Sequence, residues 1–434
     1  MKYFPLTKAE LEKLAEKYPT PFYLYDEKGI IENAEKIKAA FSVFPAYKNY
    51  FAVKALPNPF ILKILAKQGF GADCSSYPEL LLAEMAGISG EDIIFSSNGT
   101  PANEYRYARK LGAIINLDDF THIEFLEKTA GLPEIISMRY NPGPIKEGNA
   151  IIGKPEEAKY GLTRAQIIQG FLRLKEKGLE TGRPKRFALH TMVASNELSL
   201  PYHIETASML FELAAEVFSK TGLRLEFINL GGGLGIPYSP EQTAVDYKAL
   251  ADGVQEAYNK IIMPAGLAPV SIRTEWGRAV TGPYGWLVSR AVHKKEIYRN
   301  YICLDSCMAD LMRPALYGSY HHISIPGKEN APLSETYDIT GSLCENNDKF
   351  AIQRKLPAIK TAAEEIHEEG GDFVVIHDAG AHGRAMGFNY NGKLRCGELL
   401  LRKDGSIKQI RRKETVEDYF ATLDMAELNK FKGD

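Results

Sequence analysis

Four short stretches combine residues able to do chemistry with runs able to hold them. In YFAVKAL, Lys54 interrupts an apolar run that otherwise reads as a buried strand. A buried ammonium is costly unless paired or neutralised, so Lys54 either snorkels at a strand end or is an amine suited to forming a Schiff base. In NLGGGLG, glycines follow an apolar strand and let backbone N–H groups approach an anion. The spacing matches neither a dinucleotide fingerprint nor a Walker loop, which leaves a flexible turn or a phosphate cradle. In TEWGRAVTGP, Glu275 and Arg278 form a surface ion pair, or else face a ring nitrogen and a substrate carboxylate. In LCENND, Cys344 stands beside Glu345 and near Asp348, a setting that suits a thiol proton donor better than a thiolate nucleophile.

These groups need elements to position them. Eight apolar runs, centred on YKNYFAVKA, GFGADCSS, DIIFSS, AIINLDD, EIISMRYNPG, RFALHTMVAS, LEFINLGGG and SIRTEWGR, are mostly spaced by helical patterns. Alternating strands and helices imply a parallel sheet, and eight units imply a (β/α)8 barrel with its active site at the C-terminal ends of the strands. Lys54, the glycine run and Glu275 all follow such strands. After about residue 290 the texture becomes short, β-rich and turn-separated, and KDGS is a hairpin signal. The expected division is a barrel over residues 30–288 and an antiparallel β domain from residues 1–29 and 289–434, with FYLYD a strand outside the barrel. HDAGAHGRAMGFNYN reads as a tight loop, either entering a site or purely structural.

Composition narrows the class. The chain has 434 residues, 45% hydrophobic and 25% charged, with formal net charge −2. No basic excess points to nucleic acid or an anionic membrane. The N-terminus lacks a secretory apolar core, and no run is long enough to span a bilayer. Five scattered cysteines do not make a disulfide framework, and Cys303 with Cys307 lacks the second pair a zinc site needs, so no metal is expected. A reducing cytoplasm is the simplest compartment.

Taken in order, YFAVKA, GADCSSYPEL, INLDD, RYNPG, AKYGL, NLGGGLGI, TEWGRAVTGP, DSCMADLMRPALYG, CENNDKFAIQRKLP and GAHGRAMGFNYN resemble the fold-type III pyridoxal-phosphate-dependent decarboxylases, most closely diaminopimelate decarboxylase. The resemblance covers roughly residues 20 to 405. It implies an alanine-racemase-like barrel with a C-terminal β-sandwich-like barrel, and pyridoxal 5'-phosphate as cofactor. It makes Lys54 the Schiff-base lysine, and Glu275 the partner of the cofactor's ring nitrogen. Ser195 and the backbone of Gly231, Gly232, Gly233 and Gly235 would bind the phosphate. Arg278, Arg313 and Tyr317 would take a distal carboxylate, Glu345 a distal amine, and Cys344 would protonate the carbanion. The family draws Cys344 and Glu345 from a second copy, so a homodimer with shared sites is implied.

Three positions depart from the family pattern. Met192 stands where a histidine normally stacks on the cofactor ring, and Ala194 stands for the following glycine. Met192 can cover a ring by dispersion but cannot donate a proton. His382 replaces a tyrosine that touches phosphate or substrate, and SSNGT lacks a customary lysine. The expected reaction is decarboxylation of meso-2,6-diaminopimelate to L-lysine. The alternatives are another amino acid, such as D-ornithine, D-lysine or a secondary-metabolism substrate, and, further off, a racemase on the same barrel.

Overall fold

The computed structural model describes residues 2–148, 151, 153–365 and 370–430. The chain divides into two compact units, one of Glu27–Pro283 with Gly380–Ala385, the other of Met1–Asp26, Tyr284–Ala379 and Met386–Asp434.

Strand β1 (Phe22–Asp26) belongs to the second unit. The first unit contains β2 (Lys48–Ala52), β3 (Gly71–Cys74), β4 (Ile93–Ser96), β5 (Ile114–Leu117), β6 (Ile135–Tyr140), β7 (Arg186–Thr191), β8 (Leu225–Asn229) and β9 (Ser271–Thr274). These eight strands pair in parallel, in chain order, and β9 closes on β2. The closed barrel is the one read from the sequence. Strands buried on both faces must be apolar throughout, which is why each appears as a short continuous run bounded by turns. Tyr50, Ile94, Ile114, Ile135, Ala188 and Phe227 pack together as a core cluster from six different strands. Inter-strand helices begin with local signals: Asn58 caps Pro59–Lys67 with proline in its first turn, and Thr163 with Gln166 forms a capping box on Arg164–Thr181.

The second unit holds β10 (Gly285–Glu296), β11 (Asn300–Leu304), β12 (Ile323–Ser324), β13 (Glu335–Thr340), β14 (Lys349–Leu356), β15 (Phe373–Ile376), β16 (Gly397–Leu401) and β17 (Ile407–Arg411). Together with β1 they make one nine-stranded sheet. The sheet is mixed rather than antiparallel throughout. β1 runs parallel to β16 and β11 parallel to β13, because long connections rather than hairpins join those strands. β16 and β17 form the hairpin announced by KDGS, with Gly405 at φ 80°. Leu11 and Leu14 of the helix Lys8–Lys17 pack with Phe22, Trp286, Phe373 and Leu399 in this unit's core.

Candidate active site

Each of several barrel strands ends in a buried polar residue, and the barrel brings these residues together. His190, at the end of β7, is 1% exposed. Its Nε2 lies 3.0 Å from Glu275 Oε2, and Asn116 Nδ2, from β5, lies 2.9 Å from its Nδ1. Facing a carboxylate, Nε2 carries a proton and donates to it. Asn229 Nδ2 donates to Glu275 Oε1 at 2.7 Å, while its Oδ1 accepts from the Gly231 N–H at 2.9 Å. The Glu275 backbone N–H donates to the Gly231 carbonyl at 2.8 Å. Burial by itself pushes the Glu275 carboxyl up, but the charge and hydrogen bond of His190 and the amide of Asn229 outweigh it and hold the group below the usual glutamate range. Asp73, at the end of β3, is the opposite case. Burial first, and then the charge of Glu275, push its carboxyl well above the usual range, and its Oδ1 has no hydrogen-bond partner among the described residues. Two neighbouring carboxyl groups driven apart in this way can hold different protonation states at one pH.

Lys54 is not buried within a strand. β2 ends at Ala52, and Lys54 sits in a turn of 3₁₀ helix, Val53–Ala55, with an exposed side chain between buried neighbours. The chain leaves the strand before Lys54, so strand alternation no longer dictates its surroundings. Burial raises the carboxyls of Asp73 and Glu79, and the charge of Lys54 partly offsets that rise. The Ala55 carbonyl accepts from the His382 N–H at 2.8 Å, so the segment carrying half-buried His382 (φ 53°) is tied to the turn that carries Lys54.

The glycines serve close backbone packing against residues 191–197. A Cβ on Gly231 (φ 72°) would lie 2.0 Å from the Thr191 carbonyl oxygen, and one on Gly233 (φ 92°) 2.6 Å from that of Ala194. One on Gly232 would lie 2.9 Å from the Glu275 carbonyl oxygen and 3.4 Å from the Met192 thioether sulfur, which puts half-buried Met192 over the run. One on Gly235 would lie 2.7 Å from the carbonyl carbon of Asn196. Not every N–H here is available to a ligand. That of Gly231 is committed to Asn229 and that of Gly235 donates to the Glu197 carbonyl at 2.9 Å. Those of Gly232, Gly233 and Leu234 meet no protein acceptor among the described residues.

Beside the run, Arg278 is 6% exposed. Its guanidinium donates to Tyr238 Oη at 2.6 Å and to Ser195 Oγ at 3.4 Å. No carboxylate lies within ion-pair distance of it among the described residues. A buried cation so placed is costly unless an anion completes the site. The barrel therefore brings Ser195, Arg278 and these N–H groups together in a place where an anion would fit.

The other expected residues belong to the second unit. Arg313 opens the helix Arg313–Tyr317, is 1% exposed and donates to Ser319 Oγ at 3.1 Å, whereas Tyr317 is 41% exposed. Cys344 is exposed and its N–H donates to Asn391 Oδ1 at 2.8 Å. Glu345 is half-buried and accepts from the Asn347 N–H at 3.2 Å. No cluster of metal-ligating side chains occurs among the described residues. No described helix is long and apolar enough to cross a membrane.

Sequence reading gave no role to Asp73, Asn116, His190, Asn229 or Tyr238. A signal was present: Asp in GADC, Asn in IINL, His in RFALHT and Asn in LEFIN each break an apolar strand at its C-terminal end. Buried polar groups in such places need partners, and the rim of a barrel is where partners converge.

A parallel barrel whose rim carries an amine, paired buried carboxyls and unbonded N–H groups beside a buried arginine has the layout of a barrel enzyme's active site. Residues 29–282 match the family described as pyridoxal-dependent decarboxylase, pyridoxal binding domain, and the chain belongs to that family. It is 40% identical to Protein TabA of Pseudomonas amygdali pv. tabaci, over 99% of this chain and 96% of that protein. It is 32% identical to the diaminopimelate decarboxylase of Methanothermobacter thermautotrophicus, over 94% of this chain and 93% of that protein. The structure of diaminopimelate decarboxylase from Helicobacter pylori complexed with L-lysine matches with a TM-score of 0.82 at 28% identity, covering 97% of this chain and 100% of that one. The family implies pyridoxal phosphate, and the residues fit it: a buried arginine without a carboxylate partner, free N–H groups for a phosphate, a carboxylate held as an anion, and an amine at the rim.

Proposed function

We propose that this decarboxylase acts on meso-2,6-diaminopimelate and releases L-lysine and carbon dioxide. The observation that carries the reading is the set Arg278, Arg313, Tyr317 and Glu345, all present in a chain that matches named diaminopimelate decarboxylases over nearly its whole length. Two arginines and a glutamate suit a substrate that ends in a carboxylate and an amine.

Pyridoxal phosphate, when bound, supplies a ring that accepts the electron pair left as carbon dioxide departs. The chain's own residues do the rest. Lys54 would hold the cofactor through its aldehyde. Glu275, oriented by His190 and Asn229, keeps a proton on the ring nitrogen. Ser195 and the glycine-run N–H groups would grip the phosphate, and Arg278 beside Ser195 would face the substrate's distal carboxylate. Met192 covers one ring face without offering a proton, so proton delivery falls to Cys344 of the partner subunit. Glu345 of the partner subunit takes the distal amine. The active form is thus a homodimer, working in the cytoplasm.

A second substrate has specific support. Met192, Ala194 and His382 change the cofactor side of the site, and the relative at 40% identity does not carry the diaminopimelate decarboxylase name. D-ornithine, D-lysine or a secondary-metabolism amino acid is that alternative. The test is carbon dioxide release from meso-diaminopimelate, D-lysine and D-ornithine by the cofactor-loaded protein. Release from the first with L-lysine as product is expected. Release from either of the others alone overturns the diaminopimelate assignment and leaves the decarboxylase class intact.

A further inference from the structure

Three segments of the second unit meet at two buried carboxylates. Asp348 Oδ1 accepts from the Met308 N–H at 2.6 Å, and its Oδ2 from the Leu343 N–H at 2.8 Å. Its carbonyl accepts from the Gly341 N–H at 3.0 Å, and its own N–H donates to the Glu345 carbonyl at 3.1 Å. One residue therefore closes the turn that carries Cys344 and Glu345 and clamps that turn to Met308. Met308 lies inside a second turn, closed by the Cys307 N–H donating to Asp310 Oδ2 at 3.1 Å and the Asp310 N–H donating to the Cys307 carbonyl at 2.8 Å. That turn leads directly into the helix begun by Arg313. Asp310 Oδ1 accepts from the Cys396 N–H at 3.3 Å, at the end of the loop whose Asn391 holds the Cys344 N–H. The fit around Asp348 is tight. A Cβ on Gly341 would lie 2.4 Å from both its carboxylate oxygens and 2.5 Å from the Cys307 Cα.

We propose that Asp348 is a positioning residue, fixing the Cys344–Glu345 turn against the segment around Met308 so that the proton donor and the group for the substrate's distal amine share one register. The proposal rests on the reading that Cys344 and Glu345 serve the reaction. Two backbone N–H groups from different segments, aimed at the two oxygens of one carboxylate, are the geometry that carries it. Charge-assisted bonds of this kind are stronger than neutral ones and set direction as well as distance. Burial pushes the Asp348 carboxyl up to about 6; the N–H groups of Leu343 and Met308 pull it down, the charge of Asp310 raises it and that of Lys393 lowers it. Asp310 and the Cys307 thiol are both held up chiefly by burial, so the clamp's other ionisable neighbours resist ionising beside it.

The experiment uses the full-length, cofactor-loaded protein. Asp348→Asn turns one acceptor into a donor facing an N–H, and Cys344→Ala serves as comparison. The readouts are kcat and KM for carbon dioxide release from meso-diaminopimelate, the rate at which Ellman's reagent modifies Cys344 followed by peptide mass spectrometry, and the thermal midpoint. Cys344→Ala is expected to lower kcat and leave KM within about twofold, as removal of a group acting only on the transferred proton should. Asp348→Asn is expected to lower kcat by about tenfold, raise KM by about fivefold and change the Cys344 modification rate by about fivefold, because misplacing the turn disturbs the proton donor and the binding group together. Asp348→Asn with kcat, KM and modification rate all at wild-type values overturns the proposal. If Cys344→Ala keeps wild-type kcat, the reading of Cys344 falls, and the modification rate alone decides Asp348. Asp348→Ser, which shortens the side chain without reversing a hydrogen bond, is read the same way if Asp348→Asn does not fold.

Discussion

Replacing His190 by phenylalanine tests whether the barrel itself holds Glu275 as a carboxylate. The ring keeps a similar shape but loses both polar atoms. Glu275 is buried and accepts from His190 at 3.0 Å and Asn229 at 2.7 Å, so His190→Phe leaves it one side-chain donor. Removing one partner of a buried pair typically costs about 3–5 kcal/mol. At about 2–4 °C per kcal/mol for a domain of this size, the barrel's thermal midpoint should fall by about 6–20 °C. The assay is calorimetry of the cofactor-free protein, with Glu275→Gln as a second background. With no charge left to strand, the His190→Phe penalty should shrink by about 2 kcal/mol or more in that background. The pH dependence has a definite sign. A carboxyl held below its ordinary value stabilises the fold above that value, and the contribution is lost as pH falls through the folded-state value. The wild-type advantage over His190→Phe should therefore narrow in acid. A midpoint within about 2 °C of wild type, or an equal penalty in both backgrounds, would refute the reasoning.

Further outcomes follow from the same geometry. Borohydride reduction of the loaded protein should fix the cofactor on the peptide containing Lys54, and Lys54→Ala should show no such label; labelling elsewhere would displace Lys54 from its role. Gly231→Ala should destabilise the barrel by about 3 kcal/mol or more, adding a forced backbone clash to a left-handed φ, whereas Gly232→Ala, at ordinary φ, should cost about half as much in a thermal melt. In the second unit, Trp286 Nε1 donates to His377 Nδ1 at 3.1 Å, and His377 Nε2 lies 2.7 Å from Ser324 Oγ. Burial, with the neighbouring charges of His322, Lys2 and His321, pushes His377 down to about 3; burial with Lys2 and Arg354 pushes His322 down to about 4. The unfolded chain binds these protons first, so stability should be full above the ordinary histidine value and decline below it by up to about 1.4 kcal/mol per pH unit per histidine. Asp378, raised to about 6 mainly by burial, works in the opposite sense, so the histidine contribution is read as wild type minus His377→Gln, followed by Trp286 emission in a Trp276→Phe background.

The barrel was legible because most of its strands are short, largely apolar runs bounded by turns, and because eight such runs admit few closed arrangements. The parallel pairs in the second sheet were not, since the partner of a strand such as β1 lies more than 250 residues away in the chain and no local pattern sets its direction. Lys54 read as a buried strand residue because the run YFAVKAL stays apolar through the turn that ends β2. His190 and Glu275 are 85 residues apart, and only closure of the barrel makes them neighbours. The glycine run was visible as a cradle, yet two of its N–H groups turned out to be committed to the protein by contacts that spacing does not reveal.

The central claim is that Lys54 and Cys344 act in one reaction while belonging to different subunits of a homodimer. The most direct measurement mixes Lys54→Ala with Cys344→Ala, after dissociation and reassembly, on the substrate that the wild type decarboxylates fastest. Random pairing makes half of the dimers mixed, each with one intact site, so carbon dioxide release should recover to about a quarter of the wild-type rate from two nearly inactive parents. Release that stays at the level of the parents would contradict the shared site.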